Sequence, residues 1–129
     1  MSSGLIIFIN EHEKFDFSST VRAISNLDNV YNLIIQTEYL MEDVSKGSVL
    51  FCEFRYDDDM AIVHLGNYLD FISTDSLGKA GLYFALKLQS VIDIPLTAVD
   101  TGYNFQVKLD KINSIQEFLD IRSSGIYME

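Results

Sequence analysis

Apolar and polar positions recur along this chain with two different periods, and the switches between them mark out its elements. Residues 4–10, "GLIIFIN", are continuously apolar and β-branched, the pattern of a strand buried on both faces. "DFSSTVRAISNL" then offers the cap-type residues Asp16, Ser18 and Ser19, followed by Val21, Ile24 and Leu27 at helical spacing, which predicts a short amphipathic helix. In "VYNLIIQTEYLME", Tyr31, Leu33, Ile35, Thr37 and Tyr39 alternate with Asn32, Gln36 and Glu38, a period of two broken only by Ile34. That stretch is expected to be a strand. The turn residues 45–47, "SKG", lead into "SVLFCEFRY", rich in β-branched and aromatic residues. Asp57, Asp58 and Asp59 separate it from "MAIVHLG", and two strand-like runs divided by about three turn-forming residues predict a β-hairpin.

The second half switches to helical spacing. "STDSLGKAGLYFALKLQSVI" has Ser73, Thr74, Asp75 and Ser76 as N-cap candidates, with Leu77, Ala80, Phe84, Leu88 and Val91 three or four residues apart and Pro95 beyond its end. "TGYNFQVKLD" shows the clearest alternation: Tyr103, Phe105, Val107 and Leu109 on one side, Asn104, Gln106, Lys108 and Asp110 on the other. "NSIQEFLDIRSSG" ends the chain as a helix, capped by Asn113 or Ser114, with Glu117 in capping-box position to Ser114 and Gly125 past the end. The predicted order is β-α-β-β-β-α-β-α. Strands joined by short turns pair antiparallel, so the expectation is one α+β domain over residues 1–129, a mainly antiparallel sheet with three helices packed on it.

Length and composition fit that picture. A chain of 129 residues with 48% hydrophobic content can bury a core of its own. No apolar run approaches the ~20 residues that span a bilayer, and the apolar start lacks a basic leader segment, so a cytoplasmic protein is expected. The single cysteine, Cys52, excludes an internal disulfide.

Charge changes the picture most. Nineteen acids against nine bases give a net charge of −10, which disfavours direct contact with nucleic-acid phosphates or an anionic membrane. Such a charge serves solubility, and it also steers a basic partner. Residues 57–75 hold five acids, Asp57, Asp58, Asp59, Asp70 and Asp75, and no base. These five are the expected contacts for a basic partner, with Tyr56 or Tyr68 as aromatic anchor beside a turn, as Tyr103 also is. Glu11 and Glu13, just after the first strand, are a second tier.

Other chemistry is weaker. The three aspartates could ligate a hard cation, but turn composition favours a solvated hairpin tip, and neither a metal nor a cofactor is expected. "HEKFD" starts like a zinc-protease helix, yet Asp16 stands where the second histidine belongs. "GKAG", residues 78–81, has the spacing of a backbone-clamping loop but lies in a predicted helix, where two glycines serve close packing. If residues 57–59 form the hairpin loop, Tyr56 faces Met60 and Cys52 falls opposite His64, a minimal nucleophile–base pair. Leu50, Phe54 and Ile62 would share that face, so the pair is expected to be core.

The acidic body, and above all "GLYFALKLQSVIDIPLTAVDTGYNFQVKLDKINSIQEFLD", resembles bacterial immunity proteins of contact-dependent growth inhibition and related polymorphic toxin systems. The likeness covers the C-terminal half as a helix, an alternating strand and a short amphipathic helix. It implies a non-enzymatic inhibitor that binds one cognate toxin domain, an RNase or DNase. The family shares no diagnostic motif, so the resemblance assigns no site residue. A non-enzymatic adaptor or self-associating structural protein is the alternative, and a small enzyme using Cys52 and His64 the next.

Overall fold

The structure, a computed structural model, describes residues 4–41, 45–66, 71–75, 79–100 and 105–124. Its strands are β1 (Leu5–Ile9), β2 (Val30–Met41), β3 (Ser45–Tyr56), β4 (Asp59–Gly66), β5 (Phe71–Thr74), β6 (Leu96–Asp100) and β7 (Phe105–Lys108). Its helices are α1 (Phe17–Ser25), α2 (Lys79–Val91) and α3 (Ile115–Ser124), with short 3-10 turns at His12–Lys14 and Leu109–Lys111. The expected α+β domain with an antiparallel sheet and three helices is what forms. Every pairing is antiparallel, in the order β2-β3-β4-β5-β1-β6-β7.

Two strands in that order were not expected. Ser73 and Thr74, proposed above as helix caps, are instead the end of β5; Ser76 lies outside the described residues, and α2 is described over Lys79–Val91. The four residues of β5 are too short to show a period by themselves; they become a strand because β1 and β4 both offer them a free edge. Strand β6 follows Pro95 and pairs with β1 and β7. The Gln89 side chain fixes that connection, its amide N–H donating to the Ile94 carbonyl at 3.1 Å and its Oε1 accepting from the Leu96 N–H at 2.8 Å. Of the predicted strand around residues 103–110, Phe105–Lys108 form β7 and Leu109 and Asp110 already turn into a 3-10 helix, while residues 103–104 lie outside the described residues.

All three helices pack on one face. Leu5, Ile7 and Ile9 of β1 are buried beneath them, while Ile6 is half-buried and Phe8 is 38% exposed on the other side. The continuous apolar run of β1 therefore does not mean burial on both faces. A strand in mid-sheet is flanked by others whichever face is covered, so Ile6 and Phe8 gain cross-strand neighbours, Val99 and Phe71, without a covering layer. α2 lies across β3, β4 and β1 and touches α1 and α3. Ala80, Phe84 and Leu88 are fully buried as their spacing predicts, with Leu82 and Ala85, because flanking helices widen the covered arc. Val91, the last expected core position, is half-exposed at the helix end. Phe54 of β3 meets Phe84 edge-on, ring centroids 5.3 Å apart at 68°. Ile24 of α1 and Phe118 of α3 complete the core.

Local signals place the helix ends. The Ser114 hydroxyl accepts the Glu117 N–H at 3.1 Å and the Glu117 carboxylate accepts the Asn113 N–H at 3.3 Å, the expected capping box shifted by one donor. At α1 the Ser19 hydroxyl donates to the Asp16 carboxylate, and the Thr20 hydroxyl to the Asp16 carbonyl at 2.9 Å. The Ser19 bond holds the Asp16 carboxyl below the ordinary carboxylate range. Where β1 begins, a Cβ on Gly4 would overlap the Thr74 carbonyl oxygen, so only glycine admits this close approach.

The fully buried Phe54 joins sheet to helices. Phe54→Ala is expected to lower the unfolding free energy by about 3–5 kcal/mol, read as a reduced midpoint in chemical denaturation.

Candidate binding surface

The hairpin between β3 and β4 determines what the acidic stretch can do. Its turn has two residues, Asp57 and Asp58, rather than three, and Asp59 is the first residue of β4, paired with Tyr56. Asp57 takes the left-handed region at φ 57°, which aspartate tolerates better than most side chains. The register then runs Cys52 opposite Val63 and Phe51 opposite His64.

This overturns the expected Cys52–His64 pair. A change of one residue in register sends every β4 side chain to the other face. Cys52 points into the core, 3% exposed, while His64 lies on the helix-free face with its ring 4.8 Å from that of Phe51. Burial pushes the Cys52 thiol up to about 11, with the Glu53 charge adding to the effect. Ile62, expected on the Cys52 face, is likewise on the open one, opposite Glu53.

The aspartates divide into two kinds. Asp57 and Asp58 are exposed at the tip, and the Lys79 ammonium stands 4.0 Å from Asp57, an exposed pair that contributes little. Asp59 reaches α2, its Oδ2 accepting the Ala80 N–H at 3.0 Å and satisfying one of the unpaired donors of that helix start. Asp75 is exposed, but its Oδ1 accepts the Ile62 N–H at 2.8 Å and its own N–H donates to the Ile62 carbonyl at 3.3 Å. Among the described residues no three of His, Cys, Asp and Glu come together as a cation site.

The remaining candidates scatter. Tyr56 is half-buried, stacked on Tyr83 of α2 with centroids 4.1 Å apart, so it ties the hairpin to the helix layer. Glu11 pairs with Lys14 at 2.9 Å and raises that ammonium's pKa through the hydrogen bond and its charge; Glu13 is exposed beside it. Both sit by the 3-10 turn after β1, a separate place from the hairpin tip. Tyr68, Asp70 and Tyr103 lie outside the described residues. A cleft of about 440 Å³ opens between the start of α1 and the end of α2, lined by Asp16, Ser19, Thr20, Val91 and Asp93 among others.

Sequence patterns missed the helix-free face and the edge beside it. One cross-strand row runs the full width of the sheet through Ile34, Phe51, His64, Ser73, Ile6, Val99 and Gln106. A second sets Phe8 against Phe71, centroids 5.9 Å apart. At the edge, the Arg55 guanidinium lies 4.3 Å from the Tyr31 ring centroid and 2.7 Å from the Glu53 carboxylate, which also accepts from the Asn32 amide at 3.0 Å. These contacts, Arg55 first, hold the Glu53 carboxyl below its ordinary range. The Ile34 interruption in the alternation was the signal: a β-bulge between Tyr31 and Ile34 holds Asn32 at φ 55° and brings both Tyr31 and Ile34 to the open face. Tyr31 therefore does not share a face with Leu33 and Ile35.

Three outcomes follow from this geometry. Asp59→Ala should cost about 1 kcal/mol through the lost bond to α2, whereas Asp58→Ala should leave the denaturation midpoint unchanged. The Cys52 thiol should resist alkylation in the native protein and react once denaturant is added. Because the fold holds the thiol proton more tightly, its contribution is complete below the ordinary thiol value of 9.0 and is lost as pH climbs toward 11. A Cys52→Ala variant should show a flatter alkaline limb. Compared with protein-family models, curated proteins and solved structures, the chain finds no match.

Proposed function

We propose that this protein is a bacterial immunity protein, a non-enzymatic inhibitor that binds a cognate basic toxin domain of nuclease type and covers its active site. The observation that carries this reading is a sheet with one face free of helices among the described residues, with Phe8 and Ile34 exposed on it and Phe71 half-buried, in a chain of net charge −10. Exposed apolar side chains on such a face are a surface for protein partners. The charge selects the partner's sign, because a nuclease that grips phosphates is basic where it works.

Asp57 and Asp58 at the hairpin apex fit the steering part, since they are exposed and no helix depends on them. Asp75 adds a third exposed carboxylate near Ile62. Asp59 and Tyr56 belong to the frame that holds the apex in place. Asp70 and Tyr68 stay in the proposal on sequence grounds, as members of the base-free stretch.

The test is the product of the neighbouring reading frame: co-purified with this protein, a basic toxin domain should form a stoichiometric complex and lose its nuclease activity. Replacing Asp57 and Asp58 by Asn should slow association about threefold to tenfold at low salt and flatten its dependence on ionic strength, with dissociation nearly unchanged. Full nuclease activity in the presence of excess protein would sink the reading.

A further inference from the structure

We infer that the free edge of β2 is a docking strand that receives an extended, basic segment of the partner by antiparallel backbone pairing. β2 is terminal in the sheet and pairs only with β3 among the described residues. A terminal strand presents unpaired N–H and C=O groups, and proteins usually blunt such an edge with shortness, lysine or proline. The two edges of this sheet differ in that respect. β7 spans four residues and includes Lys108. β2 spans twelve, "VYNLIIQTEYLM", with no Lys, Arg or Pro.

Side-chain exposure singles out the same strand. Three of the large exposed hydrophobics lie on β2: Tyr31 at 46%, Ile34 at 55% and Ile35 at 51%. Ile34 and Ile35 are neighbours in sequence and so project to opposite faces of the sheet. Ile34 pairs with Phe51 on the open face; Ile35 pairs with Leu50 on the helix side, where Leu50 is fully buried and Ile35 is not. α1 touches β2, and Val30 and Leu33 pack against the core, but Ile35 further along the strand stays uncovered. After the bulge, six successive pairs from Ile34–Phe51 to Tyr39–Lys46 keep an unbroken register, long enough to template another strand.

The charge of the chain identifies the occupant. β2 itself carries no Lys or Arg, and the net charge of the chain is −10. A second copy would bring another −10 against it, and like charges repel. A basic segment with alternating apolar residues answers that charge and meets the two isoleucines. The sign of the occupant rests on the proposed basic partner; the pairing rests on the strand itself.

The probe is a capped ten-residue peptide of alternating Lys and Val, with the Glu–Val counterpart as control. Hydrogen exchange should slow at the amides of residues 34–38 with the Lys–Val peptide, and the Glu–Val peptide should bind at least about tenfold more weakly. Ile35→Lys replaces an exposed side chain and puts a lysine on the edge; with an unchanged circular dichroism spectrum it should weaken Lys–Val binding about tenfold. Light scattering should find the free protein monomeric. Equal binding of the two peptides, protection elsewhere, or a dimer broken by Ile35→Lys would each overturn the inference. Neutralisation of the toxin with no edge protection would overturn it while leaving the proposed function standing.

Discussion

The register of the β3–β4 hairpin is the constraint on which the rest depends. With Asp57 and Asp58 as the whole turn, Ala61, Val63 and Leu65 join Cys52 and Phe54 beneath the helices, all fully buried or nearly so. One more residue in the loop would put Met60, Ile62 and His64 there instead. Burying an imidazole without a partner costs more than burying Val63, so the hydrophobic pattern and the left-handed turn at Asp57 select the same register. That register also places Asp59 at the start of α2 and Tyr56 against Tyr83, which lock the hairpin to the helix that spans the sheet.

A consequence is that one acidic run divides in two. Asp59 and Asp75 are hydrogen-bonded to backbone N–H groups and hold the frame, whereas Asp57 and Asp58 project from it. The apex carboxylates stand on a two-residue turn whose flanking residues Asp59 and Tyr56 are tied to α2. The bulge in β2 acts in the same direction at the sheet edge. It brings Tyr31 over Arg55, and the Arg55–Glu53–Asn32 contacts brace the strand just before its regular, exposed stretch begins.

Helical segments and the long strands were legible because their patterns are local. Spacing at three and four residues marked α1 and α2, and the cap residues Asn113 or Ser114 with Glu117 marked the start of α3. β5 and β6 were not legible, being four and five residues long and held by partners far away in sequence. Pattern alone also read β1 as covered on both faces, because apolar residues look alike whether they meet a helix or only a neighbouring strand.

What the sequence determined by itself is the class and the charge: an antiparallel α+β domain with a net charge of −10. Where those acids stand, and which apolar residues stay in water, was decided only by tertiary structure. A single residue of turn length inverts a strand, and three helices can cover only one side of a seven-stranded sheet. The first separates Cys52 from His64; the second leaves Ile34 and Ile35 exposed on a strand that, among the described residues, pairs on one side only.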